Sequence, residues 1–410
     1  MFTRKLVKTG GFTGLVCAII IALSVTGCSA DKNAPEPDVV GEQSGQSEAG
    51  GQAEQSAAGE QYGQSNPPAE TEPTTWTFTD TSGKQITLGI PIEKAVVINR
   101  NTAEAITLLG AGDRIIATGD NTVKNNPYLG LDSLPEVGET GQVNLETILS
   151  LRPQVVFAYT NRPDERLEEK LEPAGIKVIR MNNFLPDQVD EEWKMLGKLF
   201  AQEERAAQFL EWKHQIESIP AERIQSIDEG DKKSVMALSA GFLNSNGGYR
   251  VFPSESLGGE PGVGEGYATI LAGGKDAADL QWNPAEASTT IMVDEEYVLT
   301  RNPDVITLHG TWLGGYEAVD AEPLEEAFSN IVSISSIDQL NAGKNREVYF
   351  FHTNFIGSDK RYIGVLQLAK WLYPDRFEDV DPGAYAKEYF EQWLGVPYQG
   401  IWYYSFKENH

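Results

Sequence analysis

The stretch Val143-Asn144-Leu145-Glu146-Thr147-Ile148-Leu149-Ser150-Leu151-Arg152-Pro153-Gln154-Val155-Val156-Phe157 decides the fold. It reads as a short helix, a proline stop and a buried strand. Leu149 and its neighbours give the helix one apolar face. Pro153 cannot continue a helix, and it pushes the residue before it out of the helical region. The apolar run that follows suits a parallel strand covered on both faces. The pattern recurs at Val293-Asp294-Glu295-Glu296-Tyr297-Val298-Leu299-Thr300-Arg301-Asn302-Pro303-Asp304-Val305-Ile306-Thr307. Laid over one another, the two copies pair Val143 with Val293, Glu146 with Glu296, Leu149 with Leu299, Pro153 with Pro303 and Val155 with Val305. One copy is ordinary α/β sequence. Two copies with matched glutamates point to two related lobes, an arrangement suited to closing on a ligand.

Around the first copy, Trp76 to Asp80 and Gln85 to Leu88 alternate apolar and polar about Ser82-Gly83, the pattern of a hairpin. Ala95 to Ile98 reads as a buried strand, and Asn99-Arg100-Asn101-Thr102 leaves its C-terminal end, where open α/β sheets bind ligands. Thr102 is placed to cap the next helix. Tyr159-Thr160-Asn161-Arg162 leaves the strand of the first copy in the same way. Arg100, Tyr159 and Arg162 are therefore cleft candidates, with exposed loop positions as the alternative.

Val189, Trp193, Leu196 and Phe200 recur at helical spacing, and Ala207, Leu210 and His214 continue the run, with a break near Ala201-Gln202-Glu203 and Pro220 beyond it. Around the second copy, Ser234 to Leu238 is a strand that opens into Gly-rich loops. The stretches Gly258 to Gly262 and Gly264-Glu265-Gly266 read as turns or rim. They lack the Lys-Ser/Thr pair of a phosphate loop. His309 and Trp312 leave the strand at Val305, and His352 leaves the strand at Glu347 to Phe351. Arg361-Tyr362 then starts a helix. Arg250, His309, Trp312, His352, Arg361 and Tyr362 are the C-lobe candidates for the cleft.

The segment Val143 to Ala158, followed by Gly175 to Met181, resembles the N-lobe signature of the class III substrate-binding proteins of ABC importers, which serve ferric siderophores, haem and cobalamin. The resemblance extends over roughly residues 75–395. It takes in Val96 to Asp120, Ile270 to Asp279, and Asn345 to Phe377. It implies an α/β fold with two Rossmann-like lobes joined by a long rigid helix, and a ligand cleft between the lobes. It also implies one exposed glutamate per lobe, Glu146 and Glu296, facing arginines of the membrane permease.

Residues 1–27 read as an export signal: Arg4, Lys5 and Lys8 precede an apolar run from Leu15 to Val25. Val25-Thr26-Gly27-Cys28 resembles a lipobox, which would make Cys28 the lipidated mature N-terminus. An uncleaved anchor is the alternative, but the run is short for about 30 Å of hydrocarbon. Cys17 would leave with the signal, and the mature chain would have no disulfide. Residues 28–74 are rich in Gly, Ser, Gln and Glu, too polar to offset ordering entropy, and read as a tether. The domain plan is then an N-lobe over 75–186, a helical connection over 187–222 and a C-lobe over 223–410.

A formal net charge of −27 argues against nucleic acid as a partner. The sequence has no Gly-x-Ser-x-Gly elbow and no HExxH zinc motif, so a secreted hydrolase is the weaker alternative to a carrier. A surface interaction protein and a sensor partner of the same fold also remain open. The leading expectation is a monomeric, lipid-anchored, non-enzymatic carrier outside the cytoplasm, delivering to a permease dimer with its ATPase. Guanidiniums match oxygen-rich anions, so the expected ligand is a ferric chelate held by Arg100, Arg162, Arg250 and Arg361. Haem, with His309 or His352 as axial ligand, and a corrinoid are the alternatives. With four histidines in the chain, a bare zinc or manganese site is disfavoured, and no metal ligands are assigned. No cofactor is expected beyond the lipid.

Overall fold

Both copies of the repeated segment fold as the same physical unit in the computed structural model. The structure describes residues 74–407, apart from 140, 165, 242–247, 287, 312, 313, 335 and the side chains of 332–334. The expected signal, Cys28 and the tether lie outside the described residues, as does Trp312.

In the N-lobe, β1 (Thr74–Thr79) and β2 (Gln85–Ile90) pair antiparallel, with Phe78 opposite Ile86. The Asp80 carboxylate accepts from the backbone N–H groups of Ser82 and Lys84 at 3.0 Å and of Arg180 at 2.9 Å, tying this hairpin to the main sheet. That sheet is four parallel strands, β3 (Ala95–Val97), β4 (Ile115–Thr118), β5 (Val155–Ala158) and β6 (Lys177–Arg180), in the order β4-β3-β5-β6. Helix α1 (Arg100–Leu108) leaves β3. Its cap is Asn99, whose side chain accepts from the N–H groups of Asn101 and Thr102. Thr102, expected as the cap, lies inside the helix and donates to Asn183 Oδ1 at 2.7 Å.

Helix α2 (Leu145–Leu151) is capped by Asn144, which accepts from Thr147 N at 3.1 Å, and ends on Arg152 at φ 51°. Its counterpart in the C-lobe is capped by Asp294 and ends on Asn302 at φ 43°. Short polar caps, left-handed stops and prolines therefore repeat along with the glutamates. The buried residue of each unit is Ile148 or Val298. Leu149, expected on the apolar face, is 37% exposed.

Helices α3 (Val189–Leu199) and α4 (Glu203–Ile224) make the connection, broken at Ala201, whose φ is 53°. Pro220 does not end α4; the helix runs through it to Ile224. The missing proline N–H removes one bond, and the buried ring packs instead. Phe209, Leu210, Trp212 and Ile216 of α4 join an apolar cluster that reaches Val97 and Ile106 in the N-lobe and Tyr349, Phe351, Phe390 and Trp402 in the C-lobe. The C-terminal aromatic segment thus packs into a core shared by both lobes. Each large side chain buried there stabilises the chain by about 1.5–3 kcal/mol.

The C-lobe sheet is mixed. Strands β7 (Ser234–Ser239), β8 (Tyr249–Val251), β9 (Ile291–Val293), β10 (Val305–Gly310), β11 (Val348–His352) and β12 (Tyr403–Ser405) lie in the order β9-β8-β7-β10-β11-β12. Lys275–Asp276 runs beside β7 as a seventh strand. β7, β10 and β11 are parallel to one another, and β8, β9 and β12 pair antiparallel with their neighbours. Helices α5 (Gly264–Leu271), α6 (Glu295–Arg301) and α7 (Arg361–Leu372) bear on the site.

Candidate functional site

Four of the predicted positions meet where the C-terminal ends of β3 and β5 face the C-lobe. Arg100 is the first residue of α1, half-buried, and its guanidinium makes no hydrogen bond or ion pair among the described residues. Its charge acts on Tyr159 in its own lobe and on His352 and Glu265 in the other. Tyr159 is 2% exposed and donates to Asp120 Oδ2 at 2.8 Å. Burial pushes its phenol well up, with Asp120 adding and Arg100 and Arg162 opposing, so it stays protonated and donating. Arg162 is exposed and holds its guanidinium 4.4 Å from the Tyr159 ring centre. Both Arg100 and Arg162 therefore present positive charge to whatever enters.

The opposite wall comes from α5, α7 and the end of β11. Arg361 is buried at the start of α7 and donates from Nη1 to Phe184 O of the N-lobe at 3.2 Å. Burial pulls its pKa down, and the nearby Glu217, Tyr267 and Glu265 hold it up. Glu265, in the first turn of α5, is partly exposed as a residue, yet its carboxyl is shielded enough that burial pushes it up to about 7. A hydrogen bond from its own backbone N–H lowers it against that, as do Arg100 and Arg361.

His352 reaches this region but is fully engaged. Its Nδ1 accepts from Asn354 N at 3.3 Å as the cap of a short helix, and the Thr311 carbonyl takes the other ring N–H. Burial, Lys360 and Arg100 push it down to about 3, so it is neutral and has no nitrogen left for iron. His309 is sealed between Phe252 and Phe351, with Nε2 2.7 Å from Thr307 Oγ1. Tyr362, one residue past Arg361, turns about 100° around the helix into the core, edge-on to Trp212 at 5.6 Å. Arg250 lies exposed on β8 opposite Met292, and the structure does not bring it to the other arginines. These four positions are therefore not cleft ligands in this arrangement: three are buried by neighbours remote in sequence, and one faces solvent. Among the described residues, no group of three or more His, Cys, Asp or Glu is placed to hold a metal ion.

Sequence reasoning missed the groups that join the lobes. Asn101 Nδ2 donates to Ser358 Oγ and, at 3.4 Å, to Asp359 Oδ1. Glu104 of α1 meets Lys360, and its carboxylate also accepts from Tyr389 Oη at 2.6 Å, Asn126 Nδ2 at 2.7 Å and Tyr128 Oη at 2.9 Å. Burial, with Asp359 beside it, pushes the Glu104 carboxyl up, while Lys360 and Tyr389 pull it down. Asp120 sat within reach of the strand-end rule that selected Arg100.

Two lobes with parallel strands pointing into a shared cleft, joined by one long helix, are matched by the family model for periplasmic binding proteins over residues 96–354. The chain belongs to the periplasmic binding protein family. The molybdate-binding protein MolA of Haemophilus influenzae is 24% identical over 347 residues, 78% of this chain and 92% of its own. The TroA-like periplasmic binding protein FepB from Veillonella parvula superposes with a TM-score of 0.64 at 21% identity, covering 80% of this chain and 99% of that one. An ABC-type Fe3+-hydroxamate transport system structure from Saccharomonospora viridis gives 0.51 at 20% identity, covering 72% and 98%. At these identities the structural likeness shows the two-lobed fold. Members of the family bind solutes outside the cytoplasm, work with an ABC permease and its ATPase, and are not enzymes.

In this binding protein Glu146 and Glu296 are exposed in the first turns of α2 and α6. Neither makes an ion pair or a hydrogen bond among the described residues, so both carboxylates are free for a partner. Among the described residues, no helix is long and apolar enough to cross a membrane.

Proposed function

We propose that this binding protein captures an anionic, oxygen-rich ferric chelate and hands it to its importer. The observation that carries the reading is Arg100: a half-buried guanidinium facing the other lobe that makes no hydrogen bond or ion pair among the described residues. Burying such a charge unpaired is costly, and an anionic oxygen ligand is the partner that would offset it. Arg162, lying over the Tyr159 ring, and Arg361 supply further positive charge for an oxygen-rich anion. A small oxyanion of the molybdate type is the second reading. It is favoured by the MolA match and by the inter-lobe bonds of Asn101 and Arg361, which narrow the cleft. Haem has less support, because His352 and His309 are both committed inside the protein.

Glu146 and Glu296 dock the loaded protein on the permease, and a lipid on Cys28 tethers it to the membrane. Cys28→Ser should release the protein or leave it unprocessed; unchanged membrane retention would remove the anchor. The ligand is tested by native mass spectrometry against ferric tricatecholate, ferric citrate, molybdate, haem and cobalamin. Retention of a ferric chelate supports the proposal. Retention of haem or cobalamin alone would overturn it while sparing the carrier role.

A further inference from the structure

Arg180, the last residue of β6, is 5% exposed and lies against the loop that carries Tyr159 and Arg162. A guanidinium has five N–H donors in a planar fork. Here every one of them is used on the same stretch of chain. Nη1 donates to Tyr159 O at 2.9 Å and to Pro163 O at 2.8 Å. Nη2 donates to Asp164 O at 3.2 Å and to Glu168 Oε2 at 2.8 Å, and Nε donates to Glu168 Oε1 at 2.6 Å. One nitrogen therefore holds both ends of the turn 159–163, and Tyr159 and Arg162 bridge across it. Carbonyls of a surface loop ordinarily turn to water. The carbonyls of Tyr159, Pro163 and Asp164 turn inward to a buried side chain instead, which fixes the course of the loop. The side chains along it are tied down as well. Tyr159 Oη donates to Asp120 Oδ2 at 2.8 Å, Thr160 Oγ1 donates to Asn182 Oδ1 at 3.1 Å, and Asp164 Oδ2 accepts from Arg166 Nε at 2.8 Å. Arg162 is different. Its exposed guanidinium makes no hydrogen bond or ion pair among the described residues and lies 4.4 Å from the centre of the Tyr159 ring.

We propose that Arg180 is the positioning residue of the N-lobe loop: it shapes the turn so that Arg162 already lies over Tyr159 before a ligand arrives. What Arg162 then grips rests on the anionic-ligand reading above. Arg180 itself touches no ligand, because Glu168 and the three carbonyls take all its donors. The gain is preorganisation. The loop is ordered during folding, and binding is spared the cost of immobilising a long, rotamer-rich side chain. The task needs a planar fork. A lysine carries its donors on one atom and cannot span both ends of the turn and Glu168 at once.

The test is NMR spectroscopy of the whole protein, free of ligand and carrying isotope-labelled arginine, with Arg162→Lys to assign the Arg162 signals. In the wild type those signals should be shifted upfield by the Tyr159 ring current, and Tyr159→Leu should abolish the shift. Arg180→Lys should return them to the position of an exposed arginine and weaken capture of ferric tricatecholate by up to about tenfold. Arg180→Met with Glu168→Leu removes the ion pair whole, leaves no stranded charge to unfold the lobe, and should do the same. Unshifted Arg162 signals in the ligand-free wild type would overturn the proposal, and this result is read without any variant at 180. Survival of the shift, or of full affinity, in both Arg180 variants would also overturn it. A shift that the Arg180 variants lose, in a protein whose wild type binds no anionic chelate, would instead overturn the ligand reading and leave the positioning role standing.

Discussion

Lys360 Nζ lies 2.6 Å from Glu104 Oε1, the two residues come from opposite lobes, and neither side chain is exposed. Three further donors complete the Glu104 carboxylate, so the pair is a satisfied polar node inside the shared core. Such a pair is weak evidence for net stability, because desolvation offsets attraction, but breaking it from one side is expensive. Lys360→Met should cost about 3–5 kcal/mol in urea unfolding at pH 8. Adding Glu104→Gln should recover part of that loss by removing the stranded charge. A single-variant cost below about 1 kcal/mol would show that the node is not needed to hold the lobes together.

His309 gives a second, pH-resolved test of the fold. Burial pushes it down to about 3 in the folded chain, against an unfolded value near 6.5. The unfolded chain therefore takes up the proton first. The stability contributed by the neutral ring is present above pH 6.5 and is lost as the pH falls towards the folded value. His309→Gln keeps a polar partner for Thr307 but cannot titrate. Its stability relative to the wild type should rise by about 1.4 kcal/mol per pH unit as the pH falls from 6 to 4.5. Parallel unfolding curves for the two proteins across that range would contradict the burial of this ring.

The paired segments are legible because their physics is local. Asn144 and Asp294 cap, Arg152 and Asn302 turn left-handed, and Pro153 and Pro303 stop the chain within a few residues of the glutamates. The strand-end rule selected Arg100, Tyr159 and Arg162, and the structure brings these three together. The same rule points equally to Tyr362, His309 and His352, and it cannot know that Trp212, Phe252 and Trp402 close over them. Glu104 and Lys360 are 256 residues apart, so no local pattern links them. Glu265 hides between glycines that read as a turn and instead let a helix start against Gly357.

The proposed docking role is testable apart from capture. Glu146 and Glu296 sit on rigid, capped helices, one per lobe, with both carboxylates exposed. Two separated charges fix register as well as contact, and exposed charge pairs chiefly set encounter and orientation. Glu146→Ala with Glu296→Ala should abolish uptake in reconstituted vesicles and weaken permease binding, while ligand affinity and melting temperature stay unchanged. Undiminished uptake would remove the docking role, and lost ligand binding would place these glutamates in the cleft.

Calorimetric titration of the wild type and Arg100→Ala with an anionic ferric chelate, at a pH where the wild type binds, tests the central claim most directly. The Arg100 guanidinium makes no hydrogen bond or ion pair among the described residues, so its removal should leave the fold intact. Loss of one charge-assisted hydrogen bond should weaken binding by about 1.5–3 kcal/mol, roughly 10- to 150-fold. Equal affinity in the two proteins would contradict an anion-binding cleft built around Arg100.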